Sequence, residues 1–459
     1  RPVHDQAQLG AAHMSRPSYP FEVRHRDVWS IALPATFAFI TEPLAGLTDL
    51  TVIGRLGDAG LLAGTVLGGL ATSLIFSLFF FLRLGTAGLT AQSIGAREAD
   101  DGLVHLVRAG LICLVLGALT LMLAGPLKAS TSYLFAPPDA AQESYETYFD
   151  VRLWSTVFVC LNNALLGWFY GRAAAVTGML LQILIHGVNI VLSIWLVYGL
   201  GWGVYGVALA TVLGQVAATL VGIGLVLRHF GTFERVRALV SLDALKDAPA
   251  LKRLFSLSRD LTIRTLALHA VFAYFTAQTS RLGEVTLAAN EVLLYFLMVN
   301  AFFLDGQAQA AEQLCGKAVG ANYRPAFDRA VRLALFWGLL IGFVMFGFWM
   351  VAGAQLIDFM STNAAIRDEA RTYLFFAAFA AFTGVAPFVY DGVTQGATLN
   401  TVIRNGMLLS TAISLAASMV LQPLLGVTGL WLALHLFFIV RGVIFWYGIR
   451  RKLPELFST

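Results

Sequence analysis

TEPLAGLTDLTVIGRLG, running from Thr41 to Gly57, lies inside the first long apolar run of the chain and carries two carboxylates, Glu42 and Asp49. Their spacing is close to two helical turns, so both acids share one helical face provided Pro43 does not bend the helix far. A carboxylate in hydrocarbon costs several kcal/mol unless it faces a cavity or a partner, so an acid inside a membrane span points to a functional site. The plainer reading puts Asp49, ~20 residues and ~30 Å along the helix, at its wet outer end. Leu50-Thr51-Val52-Ile53 argues against that, because the apolar run continues past the acid.

The surrounding composition is that of a chain dissolved in lipid. Its 459 residues are 58% hydrophobic and only 13% charged, with mean hydropathy +0.74. So few charges cannot cover the surface of a soluble protein of this size, which makes the chain an all-α polytopic membrane protein. The formal charge of +4 is too small, and too scattered over short loops, to indicate nucleic acid. Cys113, Cys160 and Cys315 all lie in apolar runs and read as core packing, with no disulfide framework and no metal spacing.

Apolar runs of about 20 residues or more give twelve spans. They are 28–53, 60–94, 103–127, 146–170, 174–198, 203–228, 252–278, 285–316, 327–354, 369–396, 402–423 and 427–449. The second is interrupted by Arg83 and the eighth by Asp305 and Glu312, so each tilts or runs on beyond the bilayer. Residues 1–14 read as an expression leader ahead of the native Met14 and 15–27 as a polar N-terminus. The first apolar run is too long for a signal core, so it stays in the membrane.

Loop charges orient the chain. One set of loops carries Arg24, Arg26, Arg97, Arg172, the basic stretch from Arg228 to Arg253, Lys317, Arg324, Arg329, Arg332, Arg404 and Arg450 to Lys452. The alternate loops hold Arg55, Lys128, Arg281, Arg367 and Arg371, several beside acids. The positive-inside rule then puts both termini in the cytoplasm and requires an even span count, in a cell (inner) membrane.

The chain also repeats itself. GRLGDAGLLAG from Gly54 and IGA from Ile94 match SRLGEVTLAAN from Ser280 and VGA from Val319, while GVYGVALA from Gly203 parallels GVTGLWLA from Gly426. The offsets are nearly constant, so residues 28–228 and 251–449 read as two six-helix lobes joined by a loop over 229–250, with a tail over 450–459. Six being even, the copies share a topology and are related by a pseudo-two-fold axis along the membrane normal. Two similar lobes with a cavity between them is the geometry of alternating access.

Polar residues divide unevenly. The first lobe has Glu42, Asp49, Arg83, Asn162, Asn163 and Asn189. The second has Arg259, Asp260, Arg264, Glu291, Asn300, Asp305, Glu312 and Asp391. Both signs occur, so internal ion pairs can offset burial. Arg259 and Asp260 also fit a snorkelling pair near a span end, whereas Glu291, Asp305 and Asp391 lie deeper and read as cavity-lining. Burial disfavours a charged carboxylate, which is the physical basis for expecting proton coupling through Asp49. The same group could bind Na⁺ with neighbouring carbonyl and amide oxygens. Acidic, aromatic walls suit organic cations. Phosphate-binding loops, HExxH, CxxC and GxSxG are missing, so no catalytic residue, cofactor or metal is expected and the chain does not read as an enzyme. His186 and His269 stand alone and read as hydrogen-bonded core histidines.

PLAGLTDLTVIGRLG from Pro43, FFFLRLGTAGLTAQSIGA from Phe79, RDLTIRTLALHA from Arg259, LAANEVLL from Leu287, LDGQAQAAEQLCGKAVGA from Leu304 and YDGVTQGAT from Tyr390 together resemble the multidrug and toxic compound extrusion (MATE) transporters, in particular their DinF-like branch. The resemblance runs in order from about Arg26 to Lys452. It implies a twelve-helix, two-lobe exporter of cationic or amphipathic compounds that exchanges them for H⁺ or Na⁺ and works as a monomer among membrane lipid. It also implies that Asp49 is the cation-coupling aspartate and that Asn189 belongs to the same cluster; Glu42 is added on spacing, and Asn163 as a further polar residue of the first lobe. Many members carry an aspartate four residues after that asparagine, where this chain has Ser193.

The mechanism expected on these grounds has a proton neutralise Asp49 from outside. The first helix then bends near Pro34 or Pro43 and releases substrate from a cavity lined by Arg259, Asp260, Arg264, Glu291, Asp305, Glu312 and Asp391. The alternatives are a Na⁺-coupled exporter, a lipid-linked oligosaccharide flippase of the same superfamily, and an intramembrane enzyme acting on lipid.

Overall fold

The computed structural model describes residues 18–98, 100–231, 248–361 and 363–457, excluding the side chains of residues 59 and 248–258. The leader read at 1–14, most of the 229–250 loop and the last two residues of the tail lie outside the described residues. What is described is helical, with no strand among the described residues.

The first helix, α1, spans His25–Gly54 without interruption although Pro34 and Pro43 lie inside it. It is followed by α2 (Ala59–Ser77) and α3 (Phe81–Gly95), joined by a tighter turn of i→i−3 bonds at Leu78–Phe80 within one apolar segment. Next come α4 (Asp101–Met122), α5 (Ala124–Phe135), α6 (Asp139–Leu153) and α7 (Thr156–Gly171). Helix α8 (Ala175–Ile194) runs into a π-helical turn, Trp195–Gly199, and α9 covers Gly203–Phe230. The second series is α10 (Ala248–Arg281), α11 (Glu284–Gly320), α12 (Arg324–Met360), α13 (Ala364–Thr383), α14 (Val385–Gly396), α15 (Asn400–Leu425) and α16 (Val427–Leu456).

Ten segments among the described residues are long and apolar enough to cross a membrane. The other two expected spans, 146–170 and 252–278, are helical but differ from that pattern for identifiable reasons. The first is split between α6 and α7 at Trp154-Ser155. The second, in α10, is too polar, with Arg259, Asp260, Arg264 and His269 along it. Helix α11 is unbroken through Asp305 and Glu312, so the two acids do not interrupt it.

The sequence repeat has a backbone counterpart. Gly57 and Gly283 hold matching positions with φ +79° and +128°, and Gly203 and Gly426 do so with φ +47° and +60°. Arg97 and Asn322 (φ +63° and +48°), and Ala173 and Thr398 (φ +59° and +52°), form two further pairs at almost the same offset. A side chain in this left-handed region costs about 1–2 kcal/mol, so its recurrence at fixed spacing reflects the same turns used twice.

Helices α1–α9 pack largely on one another, as do α10–α16, and the two sets meet through α1 and α3 on one side and α10, α11 and α14 on the other. The joint is made of bare backbone. A methyl group added at Gly95 would strike the Lys317 carbonyl, and one at Gly320 the Gln92 carbonyl. Gln92 Nε2 donates to the Gly396 carbonyl at 2.8 Å and to Thr398 Oγ1 at 3.2 Å. The N-terminal strap closes over the same end: Tyr19 N–H donates to the Ala321 carbonyl at 2.8 Å, and Arg329 Nε to that of Val23 at 2.7 Å.

At this end one apolar cluster is common to both sets, including Ile31, Leu82 and Trp168 with Leu304, Phe327 and Val389. At the opposite end the cores are separate. Val52, Ile53, Val197 and Val207 cluster within the first set, and Phe275, Leu293, Trp349 and Trp431 within the second. Cys113, Cys160 and Cys315 are free and buried. The two sets are therefore fused at the end bearing the termini and parted at the other.

Gly320→Val should disrupt the joint, costing about 1–3 kcal/mol or more, seen as a lower melting temperature and loss of monodisperse protein in detergent. Gly46→Ala, at a helical position with open space around it, should leave the melting temperature unchanged or raise it. Equal behaviour of the two variants would contradict this packing.

Candidate functional site

Near the parted end, three helices converge on Asp49. Its carboxylate, only 8% exposed, points from α1 at α8, where Asn189 and Ser193 share a face by their four-residue spacing. Ser193 Oγ donates to Asp49 Oδ1 at 2.7 Å. Asn189 Nδ2 reaches Oδ1 and Oδ2 only at 3.5 and 3.4 Å, and makes its short bond, 2.8 Å, to Thr211 Oγ1 on α9. Asn189 Oδ1 is buried without a partner. The π turn that follows brings Tyr198 back over α1, its hydroxyl donating to the Val52 carbonyl at 3.2 Å. Arg152 on α6 lies within electrostatic reach of Asp49, fixed over the Phe76 ring at 5.2 Å.

Asp49 thus has one strong hydrogen bond, two long ones and neutral direct partners. A buried carboxylate so thinly compensated is unstable as an anion and suited to taking up a small cation.

Of the other residues expected here, Glu42 lies two turns back on the same side of α1, exposed, within electrostatic reach of His186 of α8. Asn163 makes no hydrogen bond among the described residues, whereas its neighbour Asn162 donates to Gln215 Oε1 at 2.7 Å and accepts from Thr219 Oγ1 at 3.1 Å.

A second group of charges lies where the two sets meet. Asp391 of α14 is buried and held by two guanidinium groups, those of Arg264 (α10), which reaches both carboxylate oxygens, and Arg441 (α16). Arg441 is 1% exposed and ringed by Phe388, Phe437 and Phe445 at 5.6 to 5.8 Å. Asp305 and Glu312 of α11 lie in the field of Arg264 and of Arg83, which arrives from α3 of the other set. Arg83 itself sits over Phe39 and Tyr170, each at 4.9 Å. Gln309 Nε2 donates to Glu312 Oε2 at 2.8 Å, while Oε1 is buried without a partner. Three guanidinium groups thus face three carboxylates.

The remaining expected cavity residues fall elsewhere. Asp260 is buried and accepts from Arg259 Nε and from Arg404 Nη1, both at 3.1 Å. Glu291 accepts from Thr276 Oγ1 at 2.9 Å. Sequence reasoning missed Ser193 as a donor, and it missed Thr211, Arg404 and Arg441. A lone arginine in the apolar run HLFFIVRGVIFW was a usable signal for Arg441, by the rule that ionisable residues inside a span seek partners.

Comparison with known proteins places this geometry. The MatE family model matches residues 34–195 and 262–414. DNA damage-inducible protein F of Escherichia coli (strain K12) is 34% identical over 420 residues, covering 91% of this chain and 90% of that protein. A probable multidrug resistance protein NorM of Burkholderia mallei is 24% identical over 452 residues, covering 94% and 90% respectively. A crystal structure of MATE in the straight conformation superposes with a TM-score of 0.85 at 20% identity, covering 95% of this chain and 97% of that one. The polytopic helical fold, the repeated turns and these matches together make the chain a member of the MATE family of membrane transporters, in its DinF-like branch.

Proposed function

We propose that the protein is a secondary antiporter of an inner membrane that expels cationic or amphipathic organic compounds in exchange for a cation, with H⁺ as the coupling ion. The observation that carries this reading is Asp49, a buried carboxylate whose direct partners are all neutral. A proton there removes a charge that the surrounding groups compensate poorly. The names of related proteins, which include multidrug resistance proteins, support the class of substrate.

In this reading residues 28–228 and 251–449 are two six-helix lobes of one twelve-span monomer, with both termini cytoplasmic. The joined end is then inside, and the lobes open outward. Asp49, Asn189 and Ser193 form the coupling site. Ser193, neutral where many relatives carry a second acid, leaves one carboxylate to titrate. Pro34 and Pro43 withdraw from α1 the N–H groups that would bond the carbonyls of Ser30 and Phe39, so the helix has two built-in places to bend. Glu42, exposed on the same side, offers a carboxylate to an incoming organic cation. The Arg264–Asp391–Arg441 group, whose excess positive charge faces Asp305 and Glu312 of α11, acts as a structural anchor of the cavity wall, and Arg83 carries charge from one lobe to the acids of the other.

In proteoliposomes loaded with a fluorescent cationic dye, an imposed pH gradient should drive efflux and an imposed Na⁺ gradient should not. The reverse result would make Na⁺ the coupling ion. Asp49→Asn should reduce efflux to the level of protein-free liposomes with little change in melting temperature, and normal efflux by that variant would remove Asp49 from the mechanism. Ser193→Ala, which deletes the one short hydrogen bond to the carboxylate, should slow efflux by roughly tenfold.

Arg441→Leu should behave differently. Breaking a buried ion group strands the remaining charges at a cost of about 3–5 kcal/mol. Its main effect should therefore be a clear fall in melting temperature, with residual dye efflux scaling with the folded fraction. Wild-type stability with abolished transport would instead place Arg441 in substrate handling.

A further inference from the structure

At the joined end, outside the charge clusters described above, α12, α16 and Tyr390 of α14 enclose a groove of about 650 Å³. Its rim carries Arg324, Arg332 and Arg450 with one acid, Asp328. Arg324 engages that acid loosely, Nε to Oδ2 at 3.6 Å, with its side chain 57% exposed. Arg332 Nε donates to the Asp328 carbonyl at 3.3 Å, which leaves the rest of its guanidinium facing out. The Arg450 guanidinium lies 4.7 Å above the Trp446 ring. Three cations against one anion leave the rim with a net charge of about +2.

Between and beyond these charges the walls are apolar, with Val331 and Leu335 on α12 and Ile449 and Leu453 on α16. Following the same face of α12 by four-residue steps leads to Leu339 and Phe343, both exposed, and α16 similarly presents Val443. Height completes the picture. Helix α12 has 37 residues, so it is roughly 55 Å long against a hydrocarbon core of about 30 Å. Its first turns, where the arginines sit, therefore stand at headgroup level.

Cations at headgroup depth, an indole beside them and an apolar slot running down into the bilayer match a diacyl lipid with an anionic head. We propose that this groove is a binding site for one anionic phospholipid of the surrounding membrane, its phosphate held by Arg332, Arg450 and Arg324 and its acyl chains laid along α12 and α16. Tyr390 lines the groove, and the next residue, Asp391, is the acid held by Arg264 and Arg441. A lipid seated here braces α14 directly behind that ion group.

The test is native mass spectrometry of the purified full-length chain in detergent, titrated with palmitoyl-oleoyl phosphatidylglycerol, with phosphatidylcholine of the same chains, or with inorganic phosphate. Phosphatidylglycerol should be retained as a discrete adduct, phosphatidylcholine should not, and phosphate should not displace the lipid. Arg332→Ala with Arg450→Ala should weaken phosphatidylglycerol binding by roughly tenfold or more, and the corresponding double lysine variant should restore most of it. Asp328→Asn, which frees Arg324 and removes the one acid of the rim, should tighten binding, and it provides a reading even if the double alanine variant fails to fold. Unchanged phosphatidylglycerol retention in the double alanine variant, equal retention of phosphatidylcholine, displacement by phosphate, or weaker binding by Asp328→Asn would each overturn the proposal.

Discussion

A charge removed from water needs an opposite charge or several strong hydrogen bonds, and the interior of this protein is arranged around that requirement. Asp391 has two arginines, and Asp260 has Arg259 and Arg404. Arg83 rests on aromatic faces and also faces the acids of α11. Asp49 differs from these, because serine and asparagine compensate an anion only partly. The imbalance sits on α1, the helix whose first half packs through Ala32 and Thr36 on Gly306 of the second set and whose second half packs on α8. A change of charge at Asp49 therefore acts on an element tied to both sets of helices.

The two ends of the molecule differ in kind. At the joined end, backbone meets backbone at Gly95 and Gly320, contacts that no side-chain rearrangement relieves, so the joint is stiff. At the parted end each set closes its own core, so separation leaves no shared apolar cluster to be torn open. Such a pair of ends favours rigid-body rocking over unfolding of either set. The paired left-handed turns at matching offsets give both sets the same connections, and hence similar rigid shapes.

Much of this was legible in the sequence because lipid imposes simple rules. Apolar length marked the spans, and the motifs around Gly57, Gly203, Gly283 and Gly426 marked the turns, since only certain residues tolerate their backbone angles. Asp49 was visible as an acid in an apolar run. Its partners were harder to see, because hydrogen bonding depends on which helix lies opposite, and linear spacing does not report that. Ser193 looked like the loss of a carboxylate, yet it supplies the shortest bond to the one that remains. Glu42 shares the face of Asp49 as its spacing required, but it stays exposed, because a common face does not fix how deeply a neighbouring helix covers each turn. Arg441 lay in a span read for its hydropathy, where a single charge is easily averaged away, and Arg404 was counted as a loop charge, which hid its pairing with Asp260.

Arg83 links the two levels of organisation. It belongs to the first set by its covalent position and by its contacts with Phe39, Tyr170 and Gln182, while its charge acts on Asp305 and Glu312 of the second. Glu312 is buried with one oxygen unpartnered, so the field of Arg83 is part of what makes that burial tolerable. Parting the sets at the joined end would carry the guanidinium away and leave the acids of α11 with Arg264 and Arg441, both already engaged by Asp391. The same electrostatic rule that leaves Asp49 poorly compensated therefore ties the two sets together through Arg83.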